Sequence, residues 1–129
     1  EQLRKIRAAG IKAACVIKPA TPVETAIELL PECDMILLMT VEPGFGGQGF
    51  IPECMDKIRA LRKAIQDGGY QCELEIDGGV KQNNVLECIE AGADVIVAGS
   101  AVFGGDIAGN VKGFLEKFEE GAAKAQWTK

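Results

Sequence analysis

Apolar and polar positions divide this chain into two kinds of segment that alternate along its length. Four short apolar runs have the length and composition of β-strands: residues 13–17, 34–40, 72–77 and 94–99. Three of these runs are almost continuously apolar, which is typical of a parallel sheet covered on both faces. The run at 72–77 alternates instead, so Leu74 and Ile76 are predicted to share one face of the sheet.

Amphipathic helical patterns lie between these runs. Helices are predicted to begin near Thr21, Pro52, Asn83 or Asn84, and Ile107, because apolar residues then recur three and four positions apart. Thr21 and Glu24 have the spacing of a capping box, with a proline between them at the first helical position. Strict alternation of strand and helix without hairpin signals predicts an α/β fold with a parallel sheet and right-handed crossovers.

The length of each strand–helix step indicates which α/β architecture this is. Gly10 to Gly92 spans 82 residues and three steps, and eight such steps would need roughly 220 residues, the size of a (β/α)₈ TIM barrel. We therefore expect residues 1–129 to be a half-barrel, the last four βα units plus a preceding helix, cut from a longer protein. An open doubly wound sheet is the alternative, but the G-x-G-x-x-G fingerprint is missing after the first strand.

Composition and charge narrow the classes of partner. No apolar run approaches the ~20 residues that span a bilayer, and a net charge of −5 without a basic stripe argues against nucleic acid and membrane surfaces. Five cysteines without a C-x-x-C pair predict free thiols and a cytoplasmic protein. The absence of histidine removes that residue as a base or metal ligand within this chain.

Glycine-rich loops follow three consecutive strands. They are "VEPGFGGQGF" at 41–50, "DGGV" at 77–80 and "AGSAVFGG" at 98–105. Glycine lets a ligand approach the backbone closely, and converging N–H groups bind anions. Since the carboxyl ends of parallel strands meet at one end of a barrel, these loops predict a phosphate site there. The alternative is that the glycines serve tight turns alone.

Two charged residues at strand ends are candidates for chemistry. Asp77 ends the third strand and is predicted to point into the same mouth, as a metal ligand or a general acid/base. Lys18 follows the first strand and is a candidate Schiff-base lysine, or simply an ion-pair partner.

Three segments together resemble a known family. "LLMTVEPGFGGQGF", "LEIDGGV" and "ADVIVAGSAVF", in this order and spacing, closely resemble ribulose-phosphate 3-epimerase. The resemblance implies interconversion of D-ribulose 5-phosphate and D-xylulose 5-phosphate by proton removal and return at C3, assisted by a divalent metal ion (Zn, Fe, Mn or Co). Asp77 matches an aspartate that is both acid/base and metal ligand, and Met39 matches a methionine near the reacting carbons. The implied substrate and phosphate residues are Gly44, Phe45, Gly46, Gly47, Gly78, Gly79, Gly99 and Ser100.

The resemblance also implies parts that this sequence lacks. The family's first catalytic aspartate, two metal-binding histidines and a substrate-binding serine belong to its N-terminal half, so we expect the chain alone to be inactive. The expected partners are a sugar phosphate and further copies of the protein, with no nucleic acid and no membrane. A hexulose phosphate as substrate, a non-catalytic phosphate-binding half-barrel and a Schiff-base aldolase using Lys18 are the alternatives.

Overall fold

The strands lie side by side in chain order. The computed structural model describes residues 1–44 and 46–128. Within them, one parallel four-stranded sheet has the order β1-β2-β3-β4. The strands are β1 Ala14–Ile17, β2 Met35–Met39, β3 Glu73–Asp77 and β4 Val95–Val97. The predicted α/β class and all four predicted strands are therefore confirmed, with β1 and β4 at the two edges.

Helices alternate with the strands, as the sequence pattern predicted, and one helix precedes the first strand. They are α1 Gln2–Ala8, α2 Val23–Ile27, α3 Cys54–Asp67, α4 Val85–Ala91, α5 Ser100–Phe103 and α6 Ile107–Lys124, with 3₁₀ turns at Leu30–Glu32 and Gln126–Thr128. The predicted capping box is wrong, because Pro22 keeps an extended ψ of 136° and is itself the cap of α2. The Thr21 hydroxyl instead accepts the N–H of Lys18 and closes a turn after β1.

The two faces of the sheet differ in what covers them. Ile36, Leu38, Leu74 and Ile76 are fully buried and belong to the main hydrophobic core with the helices. The opposite face carries the alternate residues, and its register places Leu37 between Val16 and Glu75. Val16 on that face is 60% exposed. Helices thus cover one face of the sheet, and the other face is left open.

A buried arginine ties α3 to the beginning of β4 and to the C-terminal segment. Arg62 donates to the carbonyl of Gly92 at 2.9 Å and to the Asp94 carboxylate at 2.5 Å, and its guanidinium lies 4.1 Å from the ring of Trp127. Asp94 also accepts the N–H of Leu74 at 2.8 Å. Burial raises the pKa of Asp94, and the bonds from Arg62 and Leu74 act against that rise. The pair therefore depends on both partners being present.

The five cysteines, all within the described residues, are free, as predicted. Burial raises the pKa of Cys33 and of Cys88 to about 12. Both thiols stay protonated at neutral pH and serve as apolar core residues. None of the helices in the described part of the chain is long and apolar enough to cross a membrane.

Candidate substrate site at the carboxyl ends of the strands

A cavity of about 370 Å³ opens where β2, β3 and β4 end. Its walls include every predicted site residue that the structure describes: Gly44, Gly46, Gly47, Asp77, Gly78, Gly79, Gly99 and Ser100. Met39 lines it as well, whereas the predicted Phe45 lies outside the described residues. Three loops that are far apart in sequence thus meet at one site, as the glycine pattern predicted.

The first wall is the loop between β2 and α3. It leaves the sheet at Thr40 and returns to it, because the N–H of Ile51 donates to the Thr40 carbonyl at 2.8 Å. Gln48 donates to the carbonyl of Glu42 across the loop at 2.6 Å. Gly47 has a φ of 75°, in the left-handed region that glycine adopts without strain. These bonds close the loop on itself at the rim of the cavity.

The second wall is the turn after β3, where three successive carbonyls are all bound. The carbonyl of Asp77 accepts the N–H of Thr40 at 2.9 Å, and the carbonyl of Gly78 accepts the Thr40 hydroxyl at 2.5 Å. The carbonyl of Gly79 accepts the Asn84 side-chain amide at 3.0 Å. The turn is therefore fixed from both sides, by β2 and by the residue before α4.

Close packing explains why this turn contains two glycines. Gly78 and Gly79 have φ values of 131° and 66°. A Cβ at Gly79 would lie 2.2 Å from the Phe50 nitrogen, and a Cβ at Gly78 would lie 2.5 Å from a methyl of Val41. The turn thus rests directly on the backbone of the first loop, and a side chain would separate the two walls.

Backbone N–H groups are the main polar donors at the cavity. Among the described residues, no acceptor is found for the N–H groups of Gly79, Gly99 and Ser100. All three residues line the cavity. A ligand with several acceptor oxygens, such as a phosphate, could use these donors.

Two charged side chains line the described walls, Asp77 and Lys81. Asp77 ends β3 on the open face of the sheet, between Met39 of β2 and Val97 of β4. Lys81 was not predicted, although it directly follows "DGGV" in the sequence. Glu75 lies two residues before Asp77 on the same face, where burial chiefly, and the Asp77 charge in addition, raise its pKa.

Two expectations from the sequence find no support at this site. Lys18 is exposed and is absent from the cavity walls, so it lacks the desolvated setting of a Schiff-base lysine. Within residues 1–44 and 46–128, no group of three His, Cys, Asp or Glu side chains could hold a metal ion. Asp77 can supply one ligand, and these residues alone do not fit a complete metal site.

Comparison with known proteins finds a matching family and similar proteins. A family model of the "Ribulose-phosphate 3 epimerase family" matches residues 1–103. "Ribulose-phosphate 3-epimerase" of Synechocystis (strain PCC 6803) is 54% identical over 101 residues, 78% of this chain and 44% of that protein. The protein of that name from Mycobacterium tuberculosis (strain H37Rv) is 52% identical over 103 residues, 80% of this chain and 45% of its own length. That from Escherichia coli (strain K12) is 50% identical over 101 residues, 78% of this chain and 45% of its own.

The extent of these matches gives the family of the chain and the share of its relatives' length that the chain covers. It spans about half the length of the curated relatives, because they are covered to 44–45%. The match includes the first two glycine loops, Asp77, and the third glycine loop as far as Phe103. On this family match over residues 1–103 and identities of about half, the chain belongs to the ribulose-phosphate 3 epimerase family.

Proposed function

We propose that residues 1–129 form the C-terminal half of a TIM-barrel isomerase that interconverts D-ribulose 5-phosphate and D-xylulose 5-phosphate. The observation that carries this proposal is the cavity that brings Asp77 together with all three glycine loops. The four parallel strands in chain order support this proposal, because half of an eight-stranded barrel would have the same order. The family membership and the names of the relatives support the same substrate.

In this proposal the backbone N–H groups of the cavity and the Asp77 carboxylate have different roles. The N–H groups of Gly79, Gly99 and Ser100 bind the phosphate, and the nearby Lys81 adds a positive charge. The phosphate holds the sugar so that C3 lies beside the Asp77 carboxylate, which accepts or returns the C3 proton on one face. Inversion also needs a proton donor on the opposite face, and we propose that a residue outside this chain supplies it.

The expected divalent metal remains part of the proposal for the complete enzyme. A bound metal would supply Lewis-acid stabilisation of the enediolate, and Asp77 would be this chain's ligand to it. Since the described residues do not fit a complete metal site, phosphate binding and proton transfer at Asp77 are proposed here without the metal. We also propose a homo-oligomer without nucleic-acid or membrane partners, and a cytoplasmic location, the latter supported by the five free cysteines.

The test measures formation of D-xylulose 5-phosphate from D-ribulose 5-phosphate with a divalent metal present. The 129-residue chain is assayed alone and together with the N-terminal half of the Escherichia coli relative. We expect turnover only in the combined sample, since one acid/base group cannot serve both faces of C3. Turnover by the chain alone would contradict the half-barrel proposal.

Asp77→Asn tests the proposed base within the combined sample. The amide has the same shape but cannot accept a proton, so kcat should fall about 10²–10⁴-fold. Asp56→Asn is the matched control, because the Asp56 side chain is 88% exposed and lies on α3 outside the cavity. Activity of Asp77→Asn within tenfold of this control would remove Asp77 from the mechanism.

A phosphate-binding half-barrel without catalysis is the second candidate. It is favoured by one observation: among the described cavity walls, Asp77 is the single carboxylate. Binding of inorganic phosphate at the glycine loops, with no turnover in the combined sample, would support this second function over the first.

A further inference from the structure

Thr40 is a polar residue with no solvent exposure, directly after β2. Each of its polar groups is bonded. Its N–H donates to Asp77 O at 2.9 Å, its hydroxyl donates to Gly78 O at 2.5 Å, and its own carbonyl accepts the N–H of Ile51 at 2.8 Å. One residue therefore joins the end of β2 to the turn that carries Asp77 and to the return of the first glycine loop.

We propose that Thr40 is a positioning residue that aims the backbone N–H groups of the Asp77–Gly79 turn at the substrate phosphate. In a trans peptide unit the C=O and the following N–H point in opposite directions. A bond from the Thr40 hydroxyl to Gly78 O therefore fixes the direction of the Gly79 N–H. The bond from the Thr40 N–H to Asp77 O does the same for the Gly78 N–H. This role rests on the proposed phosphate site.

The hydroxyl matters because the peptide unit that it holds lies between two glycines. Gly78 and Gly79 have φ values of 131° and 66°, and glycine resists rotation of the adjoining peptide less than any other residue. Asn84 fixes the next carbonyl, that of Gly79, at 3.0 Å, so it orients the following N–H rather than that of Gly79. Without a donor from Thr40, the half-buried Gly78 carbonyl would lose its partner and the peptide unit could rotate.

Three variants separate the hydroxyl from the packing of the side chain. Thr40→Val keeps the shape and removes the donor, while Thr40→Ser keeps the donor. Thr25→Val makes the same chemical change at an exposed position of α2 and is the control. The order parameter of the Gly79 N–H is measured by NMR relaxation in each 129-residue chain, and KM and kcat are measured with the N-terminal half of the Escherichia coli relative present.

We expect Thr40→Val to lower the NMR order parameter of the Gly79 N–H from about 0.85, typical of rigid backbone, to below about 0.6, while the order parameters of β2 and β3 stay unchanged. KM for the sugar phosphate should rise about tenfold. The change in kcat should be smaller, because the backbone bond from residue 40 to Asp77 O remains. Thr40→Ser should match the unsubstituted chain in both measurements, as should Thr25→Val.

Equal order parameters of the Gly79 N–H in Thr40→Val and Thr40→Ser, together with KM values within twofold of each other, would overturn the proposal. So would lower order parameters across the whole sheet, or unfolding of Thr40→Val beside a folded Thr40→Ser, since these show a role in stability alone. If the unsubstituted combined sample lacks turnover, the proposed function fails, while the order parameter of the Gly79 N–H still decides whether Thr40 fixes the turn.

Discussion

Gly79→Ala should damage the substrate site through the backbone, without removing any functional side chain. The glycine has a φ of 66°, where a residue with a Cβ costs about 1–2 kcal/mol more than glycine. The added Cβ would also lie 2.2 Å from the Phe50 nitrogen and 2.7 Å from the Gly49 carbonyl carbon. Because both contacts are to backbone, one wall of the cavity must move, at a typical overpacking cost of about 1–3 kcal/mol.

Together these terms lower the free energy of unfolding by about 2–5 kcal/mol, to be measured by urea denaturation followed by circular dichroism. The shift of the turn should also raise KM by about 10²-fold in the combined sample, since small misplacements of binding groups are costly. Gly49→Ala is the control, because its Cβ would meet nothing within 4 Å and its φ is not positive. A Gly79→Ala variant within 0.5 kcal/mol of this control would refute the argument from close packing.

Three further predictions follow from other contacts. Arg62→Met should cost about 3 kcal/mol at neutral pH, because it leaves the Asp94 carboxylate without its partner. Burial already raises the folded-state pKa of Asp94, and loss of Arg62 raises that pKa further, so the stability deficit should shrink as pH falls and Asp94 takes up a proton. Urea titrations at several pH values check this, and a deficit independent of pH would contradict it. Lys81→Gln should raise KM for the sugar phosphate several-fold and weaken its dependence on salt, with kcat nearly unchanged; an unaltered salt dependence of KM would count against a charge role. The isolated chain should self-associate in sedimentation velocity through its open sheet face, where Val16 is 60% exposed, and Val16→Lys should reduce the association; a monomer at all concentrations would show that the face tolerates water.

The order of the strands could be predicted from the sequence because three of them are almost continuous apolar runs, the other alternates, and turn residues separate them from the helices. β2 and β3 were located to within one residue, and Leu74 and Ile76 share the buried face as their alternation required. The beginning of α2 was predicted less well. The Thr21 hydroxyl has two possible backbone partners, and the turn with Lys18 wins, which sequence spacing cannot decide.

The site was predictable where it depends on glycine, and not where it depends on distant contacts. Glycines at strand ends are visible in a sequence, and each described one that was predicted for the site lines the cavity. Thr40 was missed because a threonine beside an apolar run resembles any other strand residue. Its partner, Gly78, lies 38 positions further along the chain. Only the pairing of β2 with β3 brings the two together.

The bonds of Thr40 and the packing of Gly79 imply that ligand binding and folding stability are coupled at the turn after β3. At the Asp77 carboxylate the two are separate. Phosphate binding is assigned to N–H groups whose directions are set by the same hydrogen bonds that pack the turn after β3 against the end of β2. Gly79→Ala should therefore alter folding and KM together, while loss of the Thr40 hydroxyl should alter KM through the direction of the Gly79 N–H. Asp77, the proposed base, ends β3 and lines the cavity, so its amide variant should change turnover while leaving the fold intact. That contrast between backbone and side-chain variants is what a site built mainly from peptide groups requires.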